Sequence, residues 1–179
     1  MTISIVRFIG CLHLGHKSIA RMRGFDNPEE HDEHLIKNWN SVVHKRDTTY
    51  VLGDITMEKD LDYYKLDLLN GSKKVVLGNH DMMKHVPRLL LYVDGVAGMV
   101  DYKGFALTHA PIHPSDIGGY RGNIHAHIHN NVLHEVEVPS RYSDEDSVIK
   151  PTLAKYYNVD AHRIGYKPRT IDELLNGII

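Results

Sequence analysis

The sequence predicts an α/β fold, and three observations predict it. The first half alternates strand and helix signals in the order β-α-β-α-β, the pattern of a parallel sheet with covering helices. The second half strings together short strands joined directly, which points to antiparallel pairing in a second sheet. Apolar residues make up 42% of the 179 residues and charged residues 25%, the balance of a globular protein able to bury a proper core. The chain is expected to form a single domain over residues 1–179, without internal repeats.

ISIVRFIG, residues 3–10, reads as a largely buried strand. Asn27-Pro28-Glu29-Glu30 is a helix start, with an Asn cap, Pro in the first turn and Glu three residues after the cap. Leu35, Ile36, Trp39, Val42 and Val43 then fall on one helical face. TTYVLGD (48–54) is a second strand. A short helix follows with Leu61, Tyr64 and Leu68 on one face, closed by Gly71. KKVVLGNHD (73–81) is a third strand ending in a turn, and a helix near 82–91 is interrupted at Pro87. GVAGMVDY, FALTHA, NIHAHIH, VLHEVEV and YYNVDA read as the later strands. In NIHAHIH, His125, His127 and His129 alternate and so share one strand face. The polar stretch 140–151 reads as a mobile loop that could cover a site.

No apolar run approaches the ~20 residues that span a bilayer, and the N-terminus reads as lacking a signal peptide. One cysteine, Cys11, excludes a disulfide framework and fits a reducing cytoplasm. A net charge of −2 gives no global pull toward nucleic acid or anionic membrane. The unusual feature is histidine, 14 residues against 3 Phe. Several of these stand where strands end. The first strand delivers Cys11 and His13, the second Asp54, the third Asn79 and His80, and later ones His109, His127 and His129. Ligands of open α/β sheets bind beyond the carboxyl ends of strands. Each block alone is an ordinary turn signal; their joint occurrence is what points to a site. Imidazole with carboxylate and carboxamide suits Zn, Mn, Fe or Ni better than Ca or Mg.

GCLHLGH, LGD, LGNHD, LTHAP and IHAHIH resemble the five blocks D-x-H, G-D, G-N-H-[DE], H and G-H-x-H of the calcineurin-like metallophosphoesterase family. The closing YYNVDAHRIGYKPRTIDELL is similar to that of small bacterial and phage members. The resemblance implies a four-layer αββα sandwich of two mixed β-sheets flanked by helices. It also implies two divalent metal ions. The first would be held by His13, Asp54 and His129 with Cys11 where the family has Asp, the second by Asp54, Asn79, His109 and His127. Two such ions, roughly 3.5–4 Å apart, clamp a phosphate and lower the pKa of a bridging water. By the same resemblance His80 is the general acid; Asp81 either orients it by hydrogen bond, as carboxylates orient catalytic imidazoles, or is a turn or cap residue. His16, His113 and Arg121 stand beside the blocks as candidate phosphate contacts.

Two positions depart from the pattern. Ala126 replaces a Gly, which matters only where the backbone needs positive φ. Cys11 is open to three readings: a thiolate ligand favouring Zn or Fe at the first site, a small buried residue beside a weaker first metal, or a replacement of an original Asp. The implied activity is a dinuclear-metal-dependent phosphoesterase acting on a small phosphodiester or phosphomonoester, nucleotide or cyclic nucleotide, through metal-bound hydroxide. A metal-dependent nuclease and a non-catalytic protein-binding module on the same fold are the alternatives. No coiled-coil seam fixes an oligomeric state.

Overall fold

A computed structural model describes residues 4–57, 60–139 and 151–177; most of the polar stretch read as a covering loop, residues 140–150, lies outside the described residues. The chain is a mixed α/β fold. In the first sheet β1 (Val6–Ile9), β2 (Thr48–Leu52), β3 (Ser72–Val76) and β4 (Gly95–Ala97) lie side by side in that order, all parallel. The β1–β2 crossover carries α1 (Lys17–Met22) and α2 (Pro28–Val42), as a parallel connection requires.

The expected cap of α2 is present: Asn27 accepts a hydrogen bond from the Glu30 N–H at 2.8 Å, with Pro28 in the first turn. Its Leu35 and Trp39 are fully buried, and the Trp39 indole N–H donates to the Asn70 carbonyl at 3.0 Å. The next segment differs from its expected helix. It is a 3-10 turn over Tyr63–Leu68, in which side chains three apart stack on one another. Tyr63, Leu66 and Leu69 are therefore buried, while Leu61, Tyr64 and Leu68 are exposed. Near Pro87 the chain forms a 3-10 turn (Met83–His85) running into α3 (Val86–Leu89).

GVAGMVDY is not one strand. It breaks at Gly98-Met99, leaving β4 in the first sheet and β5 (Val100–Tyr102) in the second. There β5 pairs antiparallel with β6 (Phe105–Leu107), but β6 runs parallel to β7 (Gly122–His125) across a connection carrying α4 (Pro114–Ile117). β8 (Val136–Pro139) and β9 (Pro151–Ala154) form a separate antiparallel ribbon, and β10 (Tyr156–Asn158) joins the second sheet parallel to β7. The second sheet is thus mixed, while the first, also expected to be mixed, is wholly parallel among the described residues. α5 (Ile171–Leu175) opens with a capping box from Thr170 and Glu173.

One apolar cluster draws on both sheets, including Phe8, Val51 and Val76 from the first and Phe105, Leu107 and Ile124 from the second. The Phe8 ring stacks on Tyr50 at 6.0 Å and meets Tyr102 of β5 at 5.8 Å. Beyond β1, Gly10 exchanges main-chain hydrogen bonds with Val159 and Ala161, both at 2.9 Å. A Cβ at Gly10 would stand 2.5 Å from Cβ of Ala126 and 2.7 Å from the Leu52 carbonyl. The methyl group at position 126 is therefore accommodated by a glycine across from it, and Ala126 itself is not among the residues with positive φ. Gly10→Ala is expected to destabilise the fold by about 1–3 kcal/mol in urea unfolding, the usual cost of overpacking. Adding Ala126→Gly is expected to recover part of that loss.

Candidate metal centre

The structure brings the strand-end residues together. One ligand atom each from Cys11, His13 and His129 lie within 4.8 Å of one another, and so do those of Cys11, Asp54 and His109. Both groups contain Cys11. Asp54 also stands between them, its Oδ2 3.8 Å from His13 Nε2 and 3.4 Å from His109 Nε2.

The backbone that delivers these groups is unusual. Cys11, His13, Asp54, His127 and His129, five of the seven expected ligands, have φ between 50° and 67°. Side chains at left-handed positions cost about 1–2 kcal/mol each, and such residues persist where their surroundings over-determine them. β7 accordingly ends at His125, so the expected common strand face is not formed. His127 and His129 turn into the site from a left-handed loop. His125 is buried away from it, its Nδ1 2.9 Å from the Ala126 carbonyl, and burial brings its pKa down to about 4. Main-chain bonds lock the loops to one another: Cys11 N–H to Gly53, His13 N–H to Asp54 and Ala126 N–H to His109, each at 2.9 Å. The His127 N–H donates to Cys11 Sγ at 3.2 Å.

Two observations test whether these residues fit bound cations. His13 is buried, and neither ring nitrogen has a hydrogen-bond partner among the described residues. Burial, with Arg23 nearby, lowers its pKa to about 3, so the ring is neutral with an unused lone pair. An unmet buried polar atom costs about 1–3 kcal/mol, a penalty that coordination removes. The second observation is His109. Its Nδ1 lies 2.8 Å from the Leu52 carbonyl and must donate there, which leaves the Nε2 lone pair pointing into the site. That atom faces Asn79 Oδ1 at 2.9 Å, His127 Nδ1 at 3.1 Å and Asp54 Oδ2 at 3.4 Å. Four polar atoms converge there, and with the His109 Nε2 lone pair turned inward they are reconciled by a cation or by a hydrogen carried on His127 Nδ1. Burial pulls the His109 pKa down, but the hydrogen bond and charge of Asp54 outweigh it and raise the value. The donor set therefore fits two cations. Burial first, then Asp160 and Asp54, push the Cys11 thiol well up; a cation reverses that balance and stabilises the thiolate.

Glycines make room for the cluster. A Cβ on Gly53, which has φ +74°, would come 2.5 Å from His109 Nδ1.

Several expected roles are corrected. Asp81 accepts from the main-chain N–H groups of Asp54 (2.8 Å), Ile55 (3.0 Å) and Gly78 (2.8 Å), bracing the loops after β2 and β3. Asp81 is therefore a backbone brace, which is the turn-residue reading of this position. The His80 ring is half-buried, 6.3 Å from that of His13, and its main-chain N–H donates to Asp54 Oδ1 at 3.0 Å. His16 stays beside the centre, its ring 6.1 Å from His13, and caps α1 by accepting from the Ile19 N–H at 2.9 Å. His113 is instead a local cap of α4, with Nδ1 2.8 Å from Ser115 Oγ. Arg121 precedes β7, roughly 13 Å from the site end of that strand. Its guanidinium lies 4.7 Å over the Phe105 ring, far from any phosphate held at the cluster.

Sequence reasoning missed Asp160 and Arg23. Asp160 is fully buried, with Oδ2 3.1 Å from His129 Nδ1, the carboxylate–histidine contact that turns the other ring nitrogen toward a metal. Arg23 stands 3.4 Å from Asp160. Arg23 lies in no motif, and Asp160 stands in the closing YYNVDAHRIGYKPRTIDELL stretch without a role attached to it; the pairing beyond β10 brings it back to Gly10.

No family model matches the chain. Its sequence is similar to gene 66 proteins of two mycobacteriophages, at 42% identity over 79 residues for phage L5 (41% of this chain, 38% of the relative) and 40% over 96 residues for phage D29 (49% and 47%). The fold is similar to the crystal structure of a protein of unknown function, AQ665 from Aquifex aeolicus, with a TM-score of 0.67 and 22% identity over 99% of this chain and 100% of that one. An uncharacterized protein of Methanocaldococcus jannaschii, MJ1445, is 34% identical over 177 residues, 96% of this chain and 90% of that protein. Over that length and identity, the chain belongs to the family of MJ1445.

Proposed function

We propose that the chain is a dinuclear-metal-dependent phosphoesterase, a calcineurin-like metallophosphoesterase whose two main sheets form the inner layers of an αββα sandwich. The observation that carries this reading is the convergence of four polar atoms, from Asp54, Asn79, His109 and His127, beside a buried His13 whose ring nitrogens have no hydrogen-bond partner among the described residues. Cys11, His13 and His129 would hold one divalent cation and Asn79, His109 and His127 the other, with Asp54 shared. Two such ions supply Lewis-acid charge and an activated water to a phosphate ester.

The chain's own residues do the rest. Asp54 is held with Oδ1 on the His80 N–H, which directs Oδ2 toward His13 and His109. His109 is fixed in one tautomer by the Leu52 carbonyl, and His129 by Asp160. The His80 ring, at the rim beside His13, would give a proton to the departing ester oxygen. Cavities of about 210 Å³, lined by His16, Lys17 and Ser18, and about 260 Å³, lined by Met22, His129 and His162, flank the cluster and suit a small substrate. No helix among the described residues is long and apolar enough to cross a membrane. A reducing cytoplasm suits a site that employs a free thiol.

Hydrolysis of bis-(p-nitrophenyl) phosphate and p-nitrophenyl phosphate with Zn, Mn, Fe and Ni tests the reading. Turnover with at least one ion, abolished by chelation, is expected; inactivity toward both esters with every ion would refute it. Cys11→Asp is expected to move the preferred ion from Zn or Fe toward Mn, because a carboxylate is a harder ligand than a thiolate. Unchanged metal preference in that variant would make Cys11 a packing residue.

A further inference from the structure

Residues 11–15 are left-handed at every second position, with φ of 54° at Cys11, 50° at His13 and 73° at Gly15. A loop with this alternation, two of whose turns carry side chains, has to be held from outside. A buried chain of charged and polar groups behind it does so. Arg23 Nη2 donates to the Cys11 carbonyl at 2.8 Å and Nη1 to the Leu12 carbonyl at 3.4 Å. The Gly15 N–H donates to Asp32 Oδ2 at 2.9 Å. Arg23 Nη1 also lies 3.0 Å from His31 Nε2. A guanidinium only donates, so His31 Nε2 accepts, and its Nδ1 carries the hydrogen donated to Asp32 Oδ1 at 2.9 Å. Lys65 closes the chain on Asp32 at 2.7 Å.

The same guanidinium reaches the other ligand loop. Its Nη2 is 3.4 Å from both Asp160 oxygens, and Asp160 Oδ2 is 3.1 Å from His129 Nδ1. Arg23 thus touches the segment bearing Cys11 and His13 and, through one carboxylate, His129, although these lie more than a hundred residues apart. Asn79 and His109 are held by other means, through each other, Leu52 and Asp54, and His127 meets the first segment only through its N–H on Cys11 Sγ.

We infer that Arg23 and Asp160 are a positioning pair dedicated to the Cys11–His13–His129 metal site, fixing the backbone of two ligands and the ring orientation of the third. This inference rests on the metal-centre reading above. It predicts that disturbing the pair weakens one metal and spares the other, which a merely structural role would not do.

The test is competition between the protein and a chromophoric chelator, with Zn and Co as probes, on the wild type, Asp160→Asn and Arg23→Lys. Thermal melts of the metal-free proteins check folding, and Arg23→Lys, which keeps the buried charge, serves if Asp160→Asn does not fold. In the folded variants one metal is expected to bind about 10–100-fold more weakly, the usual cost of an outer-shell change, with the other unchanged. The thiolate-to-Co charge-transfer band, which reports Cys11, is expected to weaken or shift with it. Two metals held at wild-type affinity, or both weakened equally, would overturn the inference while leaving the metal centre standing. A wild type that binds neither probe would overturn the metal reading and this inference together.

Discussion

His80→Ala is expected to lower turnover of an ester with a poor leaving group by about 10²–10⁴-fold while leaving metal content unchanged. The separation follows from which atoms of His80 do what. Its main-chain N–H holds Asp54 Oδ1 at 3.0 Å, and alanine retains that donor. Only the imidazole at the rim, 6.3 Å from the His13 ring, is lost. A p-nitrophenolate needs no proton to depart, so the loss is expected to be smaller for p-nitrophenyl than for phenyl or alkyl esters. Steady-state kinetics across such a series, with metal analysis of the same preparations, checks the role. An equal loss across all leaving groups would take the acid function from His80, and lost metal would make it a structural residue.

The second large effect is expected at Asp54→Asn. The carboxamide keeps the shape, and its oxygen can still accept from the His80 N–H. What disappears is the negative charge beside His13 and His109, at 3.8 and 3.4 Å. The two proposed cations would lose it together, so both affinities are expected to fall by more than about 100-fold, the upper end of what outer-shell partners cost. Chelator competition reads this directly. Loss of one metal alone would show that Asp54 serves a single cation and is not shared.

Much of this site is legible in the sequence because strand ends are local events. Cys11, His13, Asp54, His109 and the 127–129 segment each follow a short apolar run and a turn, and the parallel order of β1, β2 and β3 places their ends on one edge. The α2 start is legible for the same reason, since an Asn cap and Pro28 act within one turn. What misleads is periodicity where the backbone changes type. His125, His127 and His129 keep the spacing of a strand after the strand has ended, because left-handed turns at 127 and 129 produce a similar recurrence with different directions. Leu61, Tyr64 and Leu68 keep α-helical spacing in a segment that winds with a period of three. Asp81 sits beside a catalytic candidate in sequence, yet its oxygens are occupied by three main-chain donors. Nothing local marks Asp160 or Arg23 as working together. They lie 137 residues apart, and only the tertiary fold pairs them.

The donors converging from Cys11, His13, Asp54, Asn79, His109, His127 and His129 are proposed to be a two-cation centre. The most direct measurement is the metal content, by inductively coupled plasma mass spectrometry, of protein purified without added metal, followed by saturation with Zn, Mn, Fe and Ni in turn. The account predicts about two ions per chain, with Zn or Fe preferred at the thiolate-bearing site. A chain that carries no metal and takes up none of the four ions at saturation would contradict it.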